Sequence, residues 1–215
     1  FTNDATLVFS VAAGATVRGG FRASECTVAE RPAGTVTVLD GQRNVNEVVK
    51  LSGNGQYHLD RLCIRRAKQH GVSKTGNGDL VLSDSSFLAN GLTSASGTGE
   101  HASDGRGLNL TGAGATVYAR NCVFAGNGQV NTDKYQTFGG AVYAKTLKRF
   151  VVDGSSFVTN GHDYVSAPAD ANIWGFHGAA IYAEDAPVTI RGSRFAANSS
   201  ITWRDRGATV YLGGN

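Results

Sequence analysis

The sequence predicts an all-β fold, a single-stranded parallel β-helix (solenoid) of about six to seven coils with its long loops at one edge. Three observations carry that expectation. A phenylalanine and an asparagine recur three residues apart at Phe87/Asn90, Phe124/Asn127, Phe157/Asn160 and Phe195/Asn198, spaced by 37, 33 and 38 residues. Apolar residues before each Phe change parity at a small or turn-forming residue, and a glycine-led apolar run follows each Asn after a segment of variable length. Self-similarity at such a period is the signature of a stack of like units.

The opening third is the less regular. Strand-like runs stand at 5–11, 16–17, 36–39 and 45–51, separated by a polar excursion over 22–34. The stretch 59–65 then re-enters the pattern, with Leu62 and Ile64 matching the positions seven and five before the Phe. In the regular units those positions hold Leu80, Val117, Phe150 and Val188, then Leu82, Ala119, Val152 and Ile190. This is the alternation of a strand with one buried face. Two before the Phe stand Ser85, Cys122, Ser155 and Ser193, of the opposite parity, so a corner must separate two short strands. Asp84, Asn121, Gly154 and Gly192 lie at that corner, types that tolerate a left-handed backbone. The Asn is followed by Gly91, Gly128, Gly161 or Ser199, which is turn chemistry. The third strand is carried by Gly-Gly-Ala-Val at 139–142, with 178–181 and 207–210 as variants and 105–110 as a weaker copy. Stacking such units predicts an inner Phe ladder and an Asn ladder at a turn, both structural.

Composition agrees with one domain over 1–215, its opening coils in 1–58 and its regular coils in 59–215. Among 215 residues are 29 Gly and only 3 Pro, which suits many bends. No stretch has the length of a membrane-spanning helix. Net charge is +3 and no long basic run occurs, so nucleic acid is not an expected partner; the densest basic cluster, 65–70, reads as a solvated coil edge. The chain starts at Phe1 without any Met, as a processed form or an excised piece does. Three Cys residues lack metal spacing, and neither a metal nor a cofactor is expected. Cys122 reads as a packing residue, and Cys63 reads as outward, in the row of Val81, Tyr118, Val151 and Thr189; whether it pairs with Cys26 is left open.

The Gly-Gly-Ala-Val block and the Phe-x-x-Asn pairs resemble the repeats of polymorphic outer membrane proteins, a family of autotransported bacterial surface proteins. The stretches 17–21, 37–41 and 59–64 are similar to the opening coils of secreted proteins with such repeats. The resemblance runs from about residue 17 to 212, although only one copy carries the complete Gly-Gly-Ala block. It implies a right-handed parallel β-helix, export, an extracellular or bacterial cell-surface location, and an adhesive or structural role. It supplies no catalytic residues.

Function is therefore sought where the units differ. The segments 91–104, 128–138, 161–177 and 199–206 have unequal lengths and share one corner, the edge on which repeat proteins often bind. They carry Tyr135, Phe138, Tyr164, Trp174, Phe176 and Trp203, and Tyr143, Tyr182 and Tyr211 form an outward row on the strand that follows. Two readings stand: an aromatic platform for sugar rings or a protein surface, or loop aromatics folded back as cover for the column. An enzyme needs converging carboxylates or a base beside a cation. Asp153 falls between Arg120 and Arg191, which suits an ion-pair ladder, and only 162–177 gathers His162, Asp163 and His177 in one loop. No catalytic residue is assigned. The expected function is a non-enzymatic adhesive or structural β-helix, self-associating head to tail into a filament or longer column, or bound to a host or cell-surface protein or glycan. The alternative is a polysaccharide-active lyase, hydrolase or epimerase acting at the loop edge. The filament expectation rests on the strand-like run at 5–11 and the unfinished coil at 208–215, which are completed either by a longer chain or by another copy.

Overall fold

The computed structural model describes residues 7–11, 14–21, 27, 31–91, 105–128, 137–162, 176–200 and 209–214. They form strands and turns, and no helix occurs among them. The strands follow one another in rounds of three. The first round is β1 (Leu7–Val11), β2 (Thr16–Arg18) and β3 (Thr37–Asp40). The second is β4 (Glu47–Ser52), β5 (Tyr57–Asp60) and β6 (Leu62–Arg65). The third is β7 (His70–Thr75), β8 (Leu80–Ser83) and β9 (Ser86–Leu88). The fourth is β10 (Leu108–Thr111), β11 (Thr116–Arg120) and β12 (Val123–Ala125). In the fifth, short β13 (Thr137–Phe138) precedes β14 (Val142–Lys145), β15 (Arg149–Asp153) and β16 (Ser156–Val158), and β17 (Gly161–His162) follows. The sixth repeats this with β18 (Phe176–His177), β19 (Ile181–Glu184), β20 (Val188–Arg191), β21 (Arg194–Ala196) and β22 (Ser199–Ser200), before a final β23 (Val210–Gly213).

Each strand pairs in parallel with its equivalent in the next round. Sheet I has the order β1-β4-β7-β10-β14-β19-β23, sheet II β2-β5-β8-β11-β15-β20, and sheet III β3-β6-β9-β12-β16-β21. Three parallel sheets visited cyclically are consistent with a parallel β-helix. The core lies between them.

The inner rows obey the repeat. Phe87, Phe124, Phe157 and Phe195 are in register on sheet III, with ring centroids 4.8, 4.6 and 4.7 Å apart and planes within 9°. At the corner before them Arg61, Asp84, Asn121, Gly154 and Gly192 have φ of 46–57°. The residues that follow turn a side-chain oxygen toward the round before: Leu62 N donates to Ser85 Oγ, Cys122 N to Ser155 Oγ and Ser155 N to Ser193 Oγ, each at 3.1 Å. Asn90, Asn127 and Asn160 are buried, and Asn198 is half-buried. In each step the Oδ1 of one Asn accepts from the backbone N and Nδ2 of the Asn below it. Nδ2 also donates to the carbonyl of the ladder residue one round down, as from Asn127 to Phe87 O at 2.9 Å and from Asn160 to Phe124 O at 2.8 Å. These bonds satisfy backbone groups that the corner leaves without strand partners.

The second round corrects the register expected for 59–65. Tyr57 and Leu59, not Leu62 and Ile64, align with Leu80 and Leu82, and Ile64 aligns with Phe87 in the Phe ladder. The corner is Arg61, whose left-handed conformation is unusual for its type. Cys63 consequently stands in the row of Ser86, Val123, Ser156 and Arg194, while His58 holds the place beside Val81. Cys63 is buried and carries a free thiol; Cys26 lies outside the described residues.

Candidate functional site

Strand order brings the variable segments together. Residues 92–104, 129–136, 163–175 and 201–208 each join a sheet III strand to the next sheet I strand. The Asn ladder stands at the foot of this corner, and the pairs β13/β18 and β17/β22 extend it. Re-entry into sheet I uses the first glycine of each glycine-led motif. Gly105, Gly139 and Gly178 have φ of 64, 67 and 70°, and a Cβ there would overlap the carbonyl oxygen of Leu108, Val142 or Ile181.

Val142, Ala144, Ile181 and Ala183 face the core, which turns Tyr143 and Tyr182 outward, with Tyr211 next in the same row. The Tyr143 and Tyr182 ring centroids are 5.6 Å apart at 10°, and those of Tyr182 and Tyr211 are 5.1 Å apart at 7°. Phe138 lies across the row, 4.6 Å from Tyr182 and 6.4 Å from Tyr143, and stacks on His177 at 5.1 Å. Tyr182 is left 7% exposed, and its hydroxyl donates to Glu184 Oε2 at 3.1 Å, while Lys145 Nζ holds Glu184 Oε1 at 3.1 Å. Burial, then the Glu184 charge, raises the phenol pKa above its ordinary value.

Within the row each tyrosine presents its face to the next, so what points outward is ring edge and hydroxyl. A platform for sugar rings needs open faces. The row itself is therefore a poor sugar shelf, and Phe138 behaves as cover. Tyr135, Tyr164, Trp174 and Trp203 lie outside the described residues, and of Phe176 only the backbone is described, paired with Thr137.

Two polar residues at this corner escaped the sequence reading. Arg106 is fully buried and passes over Gly91, where any Cβ would overlap it. His70 is 7% exposed. Its Nδ1 lies 3.2 Å from Gly105 O, which only accepts, and Asn109 Nδ2 approaches Nε2 at 3.4 Å. Those partners fix a neutral ring with the proton on Nδ1. Burial, and then the Arg106 charge, lowers its pKa to about 4. The signals were the Arg within the weaker glycine motif and the His closing the basic cluster at 65–70.

Catalytic groupings are poorly served. Asp153 accepts from Arg191 at 2.9 Å, while Arg120, its other register neighbour, lies over the Tyr118 ring at 5.2 Å. On sheet II, Ser83 Oγ donates to Asp60 Oδ1 at 2.8 Å and lies 2.9 Å from His58 Nε2. The serine proton points at the carboxylate, so His58 faces its lone pairs. A base that activates a nucleophile needs the opposite polarity. Arg31 bonds the other Asp60 oxygen and Gly19 O, and Arg61 donates to Pro32 O at 2.9 Å, so this network fastens 31–35 to the column. Burial favours protonated Asp60, but the Arg31 and Ser83 hydrogen bonds outweigh it and lower the pKa. His177 is buried under Phe138, whereas Asp163 and the His162 side chain lie outside the described residues. Burial pushes the Cys122 thiol up to about 12, the state of a packing residue. Among the described residues no group of three or more His, Cys, Asp or Glu is placed to hold a metal, and no helix is long and apolar enough to cross a membrane. Comparison with protein-family models, with curated proteins and with solved structures finds no match to this chain.

Proposed function

We propose that this chain is a right-handed parallel β-helix of an extracellular or cell-surface protein, non-enzymatic and adhesive, whose III–I corner meets a partner protein or glycan. The observation that carries the reading is the convergence of all four variable segments on one corner above a fixed scaffold. A regular column holds the stems, and sequence variation is concentrated where it costs the core nothing. Right-handedness follows from the near-universal hand of parallel strand crossovers. Export and a surface location rest on the resemblance of the Gly-Gly-Ala-Val and Phe-x-x-Asn motifs. Replacing Trp174 and Trp203 by Ala should abolish binding to the cell surface and leave the melting temperature unchanged. Loss of folding instead would make these aromatics cover for the core and end the recognition reading.

Lengthwise association is a second reading, supported by Leu212. It occupies the row of Leu51, Leu110, Ala144 and Ala183, all buried, yet is itself 62% exposed. A further coil would cover it, whether from the same chain or from another copy. Concentration-dependent sedimentation that Leu212→Lys abolishes supports a second copy; an unchanged monomer refutes it.

A further inference from the structure

Exposed cations gather on a different face. Arg120, Arg149, Arg191 and Arg194 are all exposed on sheet II and its corner with sheet III in the fourth to sixth rounds. One carboxylate, Asp153, stands among them, and Arg191 holds it at 2.9 Å. Among the described residues the other three cations have no carboxylate partner: Arg120 lies over Tyr118, and Arg149 donates to Thr189 Oγ1 at 3.2 Å. Four cations against one carboxylate carry +3, as much as the net charge of the whole chain, so positive charge is concentrated here. Asp84, bonded to Asn121 at 3.2 Å, marks the lower boundary.

The patch follows the parallel register of β11, β15 and β20. Val151 faces outward between Tyr118 and Thr189 yet is only 2% exposed. Arg120 and Arg191 are two strand spacings apart, about 10 Å. Cations this close reinforce one another within a Debye length, and an anionic chain laid along the column meets several at once.

We infer that the sheet II face of the fourth to sixth rounds is a docking surface for an acidic polysaccharide, a chain bearing carboxylate or sulfate groups. The hydroxyls of Thr189 and Tyr118 lie between the cations and suit sugar hydroxyls. The single aromatic ring is covered by Arg120, so the stacking platform that single-stranded nucleic acid requires is missing. This inference stands apart from the III–I corner and does not depend on it.

The test is retention on immobilised heparin and on polygalacturonate, with neutral dextran and a single-stranded oligothymidylate as comparisons. The wild type should bind both acidic polysaccharides and release as salt rises. The triple variant Arg120→Gln/Arg149→Gln/Arg194→Gln should bind at least about ten-fold more weakly. Arg43→Gln/Lys50→Gln/Lys68→Gln removes equal charge elsewhere and should change affinity less than about two-fold. Thermal melts establish that both variants fold; a patch variant that melts early is replaced by its three single substitutions. Failure of the wild type to bind either polysaccharide, equal weakening by the two triples, or tighter binding of the oligothymidylate would each overturn the inference. Because Trp174 and Trp203 are unchanged here, failure of this surface is distinguishable from failure of the loop corner.

Discussion

Replacing Asn127 by alanine tests whether the buried amide ladder holds the corner from which the variable segments leave. Asn127 Oδ1 accepts from Asn90 N at 3.1 Å and from Asn90 Nδ2 at 3.0 Å, and its Nδ2 donates to Phe87 O and Asn160 Oδ1, both at 2.9 Å. Alanine strands the fully buried Asn90 backbone N–H, a cost of about 1–3 kcal/mol. The weakened bonds of Asn90 Nδ2, Phe87 O and Asn160 Oδ1 add about 0.5–1 kcal/mol each, so the expected loss is about 3–5 kcal/mol. Asn198 is half-buried and accepts from Asn160, with no described Asn above it. Its alanine variant should lose about 1–2 kcal/mol. Urea denaturation at constant m-value measures both. A loss below about 1 kcal/mol at Asn127, or equal losses at the two positions, would refute the ladder argument.

Phe157→Ala should cost about 3–5 kcal/mol, because its fully buried ring is sandwiched at 4.6 and 4.7 Å between Phe124 and Phe195; a urea midpoint close to wild type would contradict a packed ladder. Lys74 occupies the inward row between Leu51 and Leu110, fully buried, with Nζ donating to Gly76 O at 2.7 Å, so Lys74→Met should stabilise by about 1–3 kcal/mol at pH 7. Burial lowers the folded-state pKa of this amine below 10.5 despite Asp79. The folded chain then binds fewer protons than the unfolded, and the wild type regains stability as pH rises toward 10.5. Urea titrations of both proteins should show the gap narrowing; a pH-independent gap or a destabilised variant would contradict the assignment.

The sequence made the column legible wherever a unit carried both Phe and Asn, since side chains repeating through parallel register must stack. The second round misled because Ile64 replaces the Phe and Arg61 takes the left-handed corner, leaving apolar spacing as the only guide. The left-handed Ala89, Thr159 and Ala197 before the ladder Asn residues were likewise invisible, since those types do not announce that conformation. Gly-x-Gly turns recur at 53–55, 76–78 and 112–114, and a Cβ at Gly78 would overlap Gly55 O. Buried His70, Lys74 and Arg106 lay beyond pattern reasoning, because polar residues at strand positions read as solvent-facing. At the loop corner the tyrosine row was foreseen from its parity. That its faces are used up internally depends on ring geometry, which parity cannot supply.

The stacked column underlies both proposed surfaces, and a pair of spin-label distances tests it most directly. Arg18, Asp60, Ser83, Arg120, Asp153 and Arg191 form one outward row of sheet II. With Cys26, Cys63 and Cys122 replaced by serine, labels at Arg18→Cys and Arg191→Cys span five strand spacings, about 24 Å, and labels at Arg18→Cys and Asp153→Cys span four, about 19 Å. The account predicts two narrow distributions whose centres differ by about 5 Å. Broad distributions, or centres that coincide, would contradict it.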